Sequence, residues 1–259
     1  MPKIFEALEH ARKETQELRI VPERAPEPVT PPAEPAPEPR KATTAVPVSV
    51  DVNLEHEMTA LYQSLNSLLP DVTHKVIQFM SSRPGEGTST IVRELAKVIA
   101  MEMGRSVLLL DIDRRRSSQT PLLDFKLPTE MDEVTKGSLL VDRAICQVEG
   151  SKLFVSPLFQ HSVLTPQKLG SDASDDLWDQ LRRRFEYVLI DSPAVTISSD
   201  GLAIVRKVDG VIFVVEAEKT RWPVAVASKE KVVKHGGNIL GMVFNKRRFY
   251  IPEAVYKRM

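Results

Sequence analysis

From residue 53 onward, short apolar and β-branched runs alternate with longer stretches of helical periodicity. The runs at 75–80, 106–111, 152–156, 187–191, 211–216 and 239–244 are strand-sized, and most are continuously apolar. A strand that is apolar on both faces needs cover on both, which marks a parallel sheet between layers of helices. Helical spacing predicts that cover over 53–69, 89–103, 174–184, 199–207 and 222–235. The pattern therefore predicts an α/β fold with a mostly parallel, twisted sheet and helices on both faces. In such folds a ligand sits at the carboxyl ends of the strands, where the helices begin.

Before residue 53 the pattern changes. Ile4, Leu8 and Ala11, broadened by Phe5 and Ala7, mark a short amphipathic helix over 1–18. Residues 19–52 then hold nine of the 19 prolines, interleaved with Glu and Ala. Proline lacks an amide hydrogen and disfavours helix at the residue before it, so a disordered, extended linker is expected there. A helix tethered in this way suits docking onto a partner; folding back onto the domain is the alternative. The expected organisation is a helix at 1–18, a linker at 19–52 and one domain at 53–259.

Composition removes several function classes. The formal net charge is zero, so there is no bulk attraction to nucleic acid or to an anionic membrane, and no nucleic-acid partner is expected. The single cysteine, Cys146, excludes an internal disulfide and fits a reducing compartment. No apolar run approaches the roughly 18–20 residues of a membrane helix. The opening segment, with Glu6, Glu9 and Glu14, lacks the apolar centre of an export signal. A cytoplasmic location is expected.

The chemistry falls at strand ends. KVIQFM is followed by SSRPGEGTSTIVRELAKVIA, a strand, a glycine-containing loop and a helix, the context of a phosphate-binding loop. Gly85 and Gly87 let backbone amides turn inward, and the helix from about Ser89 aims its positive end at the same place. Nucleotide contacts are expected from Arg83, Pro84, Gly85, Glu86, Gly87, Thr88, Ser89 and Thr90. The strict pattern GxxxxGK[ST] is not met, because Ser82 replaces its first glycine and Thr88 its lysine. VLLLDIDRRR ends a second strand with Asp111 and Asp113, and YVLIDSPA ends a third with Asp191. Carboxylates beside a phosphate loop hold a hydrated magnesium ion against the nucleotide. A P-loop NTPase fold follows from these motifs in this order.

PGEGTST, LLLDIDRRR and YVLIDSPA together resemble the bacterial tyrosine autokinases of capsule and exopolysaccharide assembly, over residues 55–259. KIFEALEHA also resembles the start of many exopolysaccharide members. The resemblance implies ATP and Mg2+ as ligands, with the ion on Ser89, Asp111 and Asp191 and acceptor activation by Asp111 and Asp113. It implies an adenine contact from Asn245 in GMVFNKRR. It further implies an integral-membrane polysaccharide co-polymerase, the chain-length determinant, as partner, with this chain at the inner face of the membrane, and homo-oligomer formation.

Three departures qualify that reading. Thr88 offers one hydrogen bond but no charge, and loss of a positioned charge costs about a hundredfold to a thousandfold in rate. Arg83, where the partitioning and division-site ATPases carry a second lysine, is the candidate to replace part of that charge; an exposed loop arginine is the plainer reading. The tail offers only Tyr250 and Tyr256 as phosphoacceptors, in a basic stretch that would also suit a membrane surface or a partner protein. The family's ring motif, Glu-x-x-Arg-x-x-Arg, meets Glu57, Ala60 and Gln63 here. Two main expectations remain: a nucleotide-binding regulator with weakened phosphotransfer, or an active tyrosine autokinase. A positioning-type ATPase is the third.

Overall fold

The structure, a computed structural model, describes residues 40–41, 52–113, 145–148, 150–156 and 165–247. The chain divides into two units, Met1–Ala36 and Pro37–Met259, and every described residue belongs to the second. The helix expected at 1–18, most of the linker, and both Tyr250 and Tyr256 lie outside the described residues.

The described strands form one sheet. They are β1 (Arg40–Lys41), β2 (Lys75–Ser81), β3 (Val107–Asp111), β4 (Cys146–Gln147), β5 (Leu153–Ser156), β6 (Tyr187–Asp191), β7 (Gly210–Glu216) and β8 (Ile239–Asn245). Their spatial order is β1-β4-β5-β3-β6-β2-β7-β8, and every pairing is parallel except that of β4 with β5. The helices are α1 (Val52–Leu68), α2 (Thr88–Met101), α3 (Pro166–Leu169), α4 (Asp175–Arg184), α5 (Asp200–Ala203) and α6 (Trp222–Lys234).

The two-residue periodicity of the strands sorts their side chains into two cores. Ile77, Phe79, Val107, Leu109, Leu189, Ile212 and Val214 join Met58 and Leu65 of α1 and Ile91, Leu95 and Ile99 of α2. Val76, Met80, Leu108, Leu110, Val188, Ile190 and Phe213 pack on the other face with Trp178 and Leu181 of α4 and Val232 of α6. Cover on both faces explains why these strands read as continuous apolar runs.

One predicted helix is cut short. The spacing over 199–207 predicts a helix, yet α5 ends at Ala203 and the chain continues in turns. The carbonyl of Gly201, which a longer helix would pair with the amide of Val205, accepts a hydrogen bond from Gln78 Nε2 at 2.7 Å. Gln78 is fully buried in β2, and the same nitrogen reaches Ser192 Oγ at 2.9 Å. The buried Gln78 side chain thus bonds the carbonyl at which the helical ladder stops.

Candidate functional site

Three neighbouring strands, β3, β6 and β2, end at one edge of the sheet. Asp111 closes β3 and Asp191 closes β6; the two are register partners, and Asp191 also faces Phe79 of β2. Both carboxylates are buried, at 3% and 1% exposure. The two residues sit on adjacent strands whose backbones run roughly 4.8 Å apart, and carboxylates so placed can share a cation. Asp111 Oδ1 also accepts the amide of Asp113 at 2.9 Å, turning the chain as it leaves β3. Asp113 is half-buried. Among the described residues no three acidic, His or Cys side chains converge as a metal cage. A magnesium ion here would therefore take further oxygens from phosphate and water, as that ion commonly does.

The loop from Ser82 to Gly87 leads from β2 into α2. Gly85 and Gly87 both have left-handed backbones, φ +85° and +95°. At Gly87 a side chain is also excluded by space, because a Cβ would lie 2.0 Å from Asn245 Nδ2. Gly87 gives α2 no side-chain cap, and a helix start offers amides that its own ladder cannot satisfy. Among the described residues the amides of Gly85, Glu86 and Gly87 donate to no backbone acceptor. The buried hydroxyls of Ser82 and Thr88 have no hydrogen-bond partner either. Polar groups left open cost about 1–3 kcal/mol each when buried. Such a loop fits an anion with several oxygens, which is what a nucleotide phosphate presents.

The rest of the loop is gripped from behind. Glu86 is 1% exposed; its Oε2 accepts the amide of Arg83 at 2.8 Å and its Oε1 accepts the hydroxyl of Thr220. The carbonyl of Glu86 accepts Asn245 Nδ2 at 2.9 Å, and the carbonyl of Gly85 accepts the ammonium of Lys246. On the other flank Thr196 Oγ1 donates to the carbonyl of Ser82 at 2.7 Å, and Val195 N to that of Ser81 at 2.9 Å.

The structure thus brings together Gly85 to Ser89 with Asp111, Asp191 and Asn245 at one end of the sheet. Arg83, Pro84, Gly85 and Thr90 are exposed, Gly87 and Ser89 half-buried, Glu86 and Thr88 buried. The Arg83 side chain is exposed and makes no ion pair among the described residues. Thr220 and Thr196 escaped the sequence reading, and Lys246 entered it only as part of the basic tail suited to a membrane surface or a partner protein, not as a residue holding this loop. Of these only Lys246 carries a local signal, an Asn-Lys pair ending a strand.

No family model matches the chain. The tyrosine-protein kinase CpsD of Streptococcus pneumoniae is 28% identical over 176 residues, 66% of this chain and 76% of that protein. Over that stretch the chain is similar to bacterial proteins named as tyrosine-protein kinases. The succinoglycan biosynthesis transport protein ExoP of Rhizobium meliloti is 28% identical over 186 residues, 70% of this chain but 23% of that larger protein. Among solved structures, the chimerical protein CapA2B2 superposes over 75% of this chain and 85% of its own, with a TM-score of 0.64 and 23% identity. The septum site-determining protein MinD from Pyrococcus horikoshii OT3, complexed with Mg-ADP, covers 72% of this chain and 77% of its own at TM-score 0.55 and 21% identity. Those two likenesses establish the P-loop α/β fold.

Proposed function

We propose that this protein binds Mg-ATP at the 82–89 loop and thereby regulates an integral-membrane polysaccharide co-polymerase, with phosphotransfer weakened by Thr88. The observation that carries the binding reading is the juxtaposition of open loop amides and buried Ser82 and Thr88 hydroxyls with the Asp111–Asp191 pair. Gly85, Glu86 and Gly87 offer amides to phosphate oxygens, and Thr88 adds one hydroxyl donor. Ser89, Asp111 and Asp191 are the residues to hold magnesium, which supplies charge neutralisation at the phosphates when bound. Asp111 and Asp113 are the candidates to accept the proton of an incoming hydroxyl. Asn245, at the end of β8, is the candidate for the adenine.

Phosphoryl transfer depends mostly on positioning and on charge facing the transferring group. Thr88 stands at the first position of α2, where the strict loop pattern has its lysine, and brings no charge. The polysaccharide role rests on the names of the relatives CpsD and ExoP. The chain matches only part of ExoP, which supports a separate membrane partner for the rest of that work and a place for this protein at the inner face of the membrane. Glu57, Ala60 and Gln63 are all exposed on α1, so any ring of copies would be built without the family's arginines.

Labelled ATP with tyrosine mapping tests this. The wild type is expected to bind Mg-ATP and to label Tyr250 and Tyr256 weakly. Thr88→Lys is expected to raise labelling by about a hundredfold to a thousandfold. Strong wild-type labelling that Tyr250→Phe and Tyr256→Phe abolish would establish the active autokinase instead.

A further inference from the structure

Lys246 follows β8 with a left-handed backbone, φ +57°, which is uncommon for a residue bearing a side chain. Its amide donates to Asn245 Oδ1 at 2.8 Å, and its ammonium reaches the carbonyl of Gly85. Glu216 Oε2, at the end of β7, stands 3.4 Å from that ammonium. Lys219 first, and Lys246 with it, hold the Glu216 carboxyl below its usual range against the opposing effect of burial, so the counter-charge stays in place. One residue earlier, Asn245 Nδ2 ties down the carbonyl of Glu86 at 2.9 Å.

These contacts fix the direction of two successive peptides. Among the described residues all peptide bonds are trans, and a trans peptide points its N–H opposite to its C=O. The carbonyl of Gly85 shares a peptide with the amide of Glu86, and the carbonyl of Glu86 with that of Gly87. With both carbonyls drawn toward β8, both amides are aimed away from it, where no backbone acceptor among the described residues takes them. A cation on a carbonyl also polarises its peptide and strengthens the N–H on the far side.

We propose that Lys246 is a positioning residue of the phosphate loop: through the Gly85 carbonyl it orients the Glu86 amide toward a phosphate group and strengthens it as a donor. This rests on the nucleotide-binding reading. Because the effect passes through the loop backbone, it is the same for a nucleoside diphosphate and a triphosphate.

The test uses the full chain as wild type, Lys246→Gln and Lys246→Arg. Binding of Mg-ADP and Mg-ATP is measured by calorimetry, and the backbone amide proton and nitrogen shifts of Glu86 are followed by NMR without ligand. Lys246→Gln is expected to weaken both nucleotides by about tenfold and to move the Glu86 amide proton upfield. Lys246→Arg, which keeps the charge, is expected to recover most of the affinity. Unchanged affinity in Lys246→Gln, a loss confined to Mg-ATP, or no recovery with arginine would overturn the proposal. If the wild type binds neither nucleotide, the functional reading falls, and the Glu86 amide shift decides alone. An upfield move in Lys246→Gln that Lys246→Arg reverses then upholds the positioning role, and an unchanged shift ends it.

Discussion

Gly85 and Gly87 lie two positions apart in one loop, and alanine should cost more at the second than at the first. Both hold left-handed backbones, so alanine at either position costs about 1–2 kcal/mol of strain. Each substitution recovers about 0.4–1 kcal/mol by narrowing the unfolded ensemble. For Gly85→Ala nothing lies within 4 Å of the new Cβ, so the net loss should stay near 1 kcal/mol, as about the difference of those two terms. At Gly87 the Cβ would lie 2.0 Å from Asn245 Nδ2 and 3.3 Å from its Cγ. Asn245 must move, and its 2.9 Å bond to the carbonyl of Glu86 breaks, a further loss of about 0.5–1.5 kcal/mol. Urea unfolding of the two variants should therefore separate them by about 1 kcal/mol, with Gly87→Ala the weaker. In an Asn245→Ala background that gap should close, since the clashing amide is gone. Equal losses in the two single variants, or a gap that survives in that background, would refute the reasoning.

Other sites give independent checks. Arg182 Nη1 bonds Asp209 at 2.7 and 3.0 Å, while Asp209 also accepts the amide of Val76 at 2.6 Å. Arg182→Ala should cost about 1–3 kcal/mol in chemical denaturation, discounted because the pair is partly exposed; a loss within experimental error contradicts this. Burial alone would raise the carboxyl of Glu186, but the Ser106 amide and Arg105 outweigh it and hold the group below its ordinary value. That stability is present above the ordinary glutamate pKa and is lost as pH falls through the lower folded value. Glu186→Gln should flatten this part of the acid limb of a stability–pH curve, and an unchanged slope would count against the assignment.

Much of this molecule was legible because its chemistry is local. The strands β2, β3, β5, β6, β7 and β8 show as apolar runs since both faces of the sheet are covered. The Gly85–Gly87 turn and the Asp111 and Asp191 strand ends follow from spacing along short segments. What escaped depends on distant partners. The two-residue strands β1 and β4 are too short for any periodicity. The early end of α5 depends on Gln78, 123 residues away from Gly201 in sequence. Thr220 and Lys246 hold the loop from 134 and 161 residues away, and no spacing within the loop announces them.

The central claim is that the loop and the paired aspartates form one magnesium-nucleotide site. Calorimetric titration of Mg-ADP into the wild type and into Asp191→Asn, each repeated with EDTA in place of magnesium, tests it most directly. Wild-type binding should weaken when magnesium is removed, and Asp191→Asn should bind weakly and alike in both conditions while keeping its fold by circular dichroism. No measurable nucleotide binding by the wild type, or binding that ignores both magnesium and Asp191, would contradict the account.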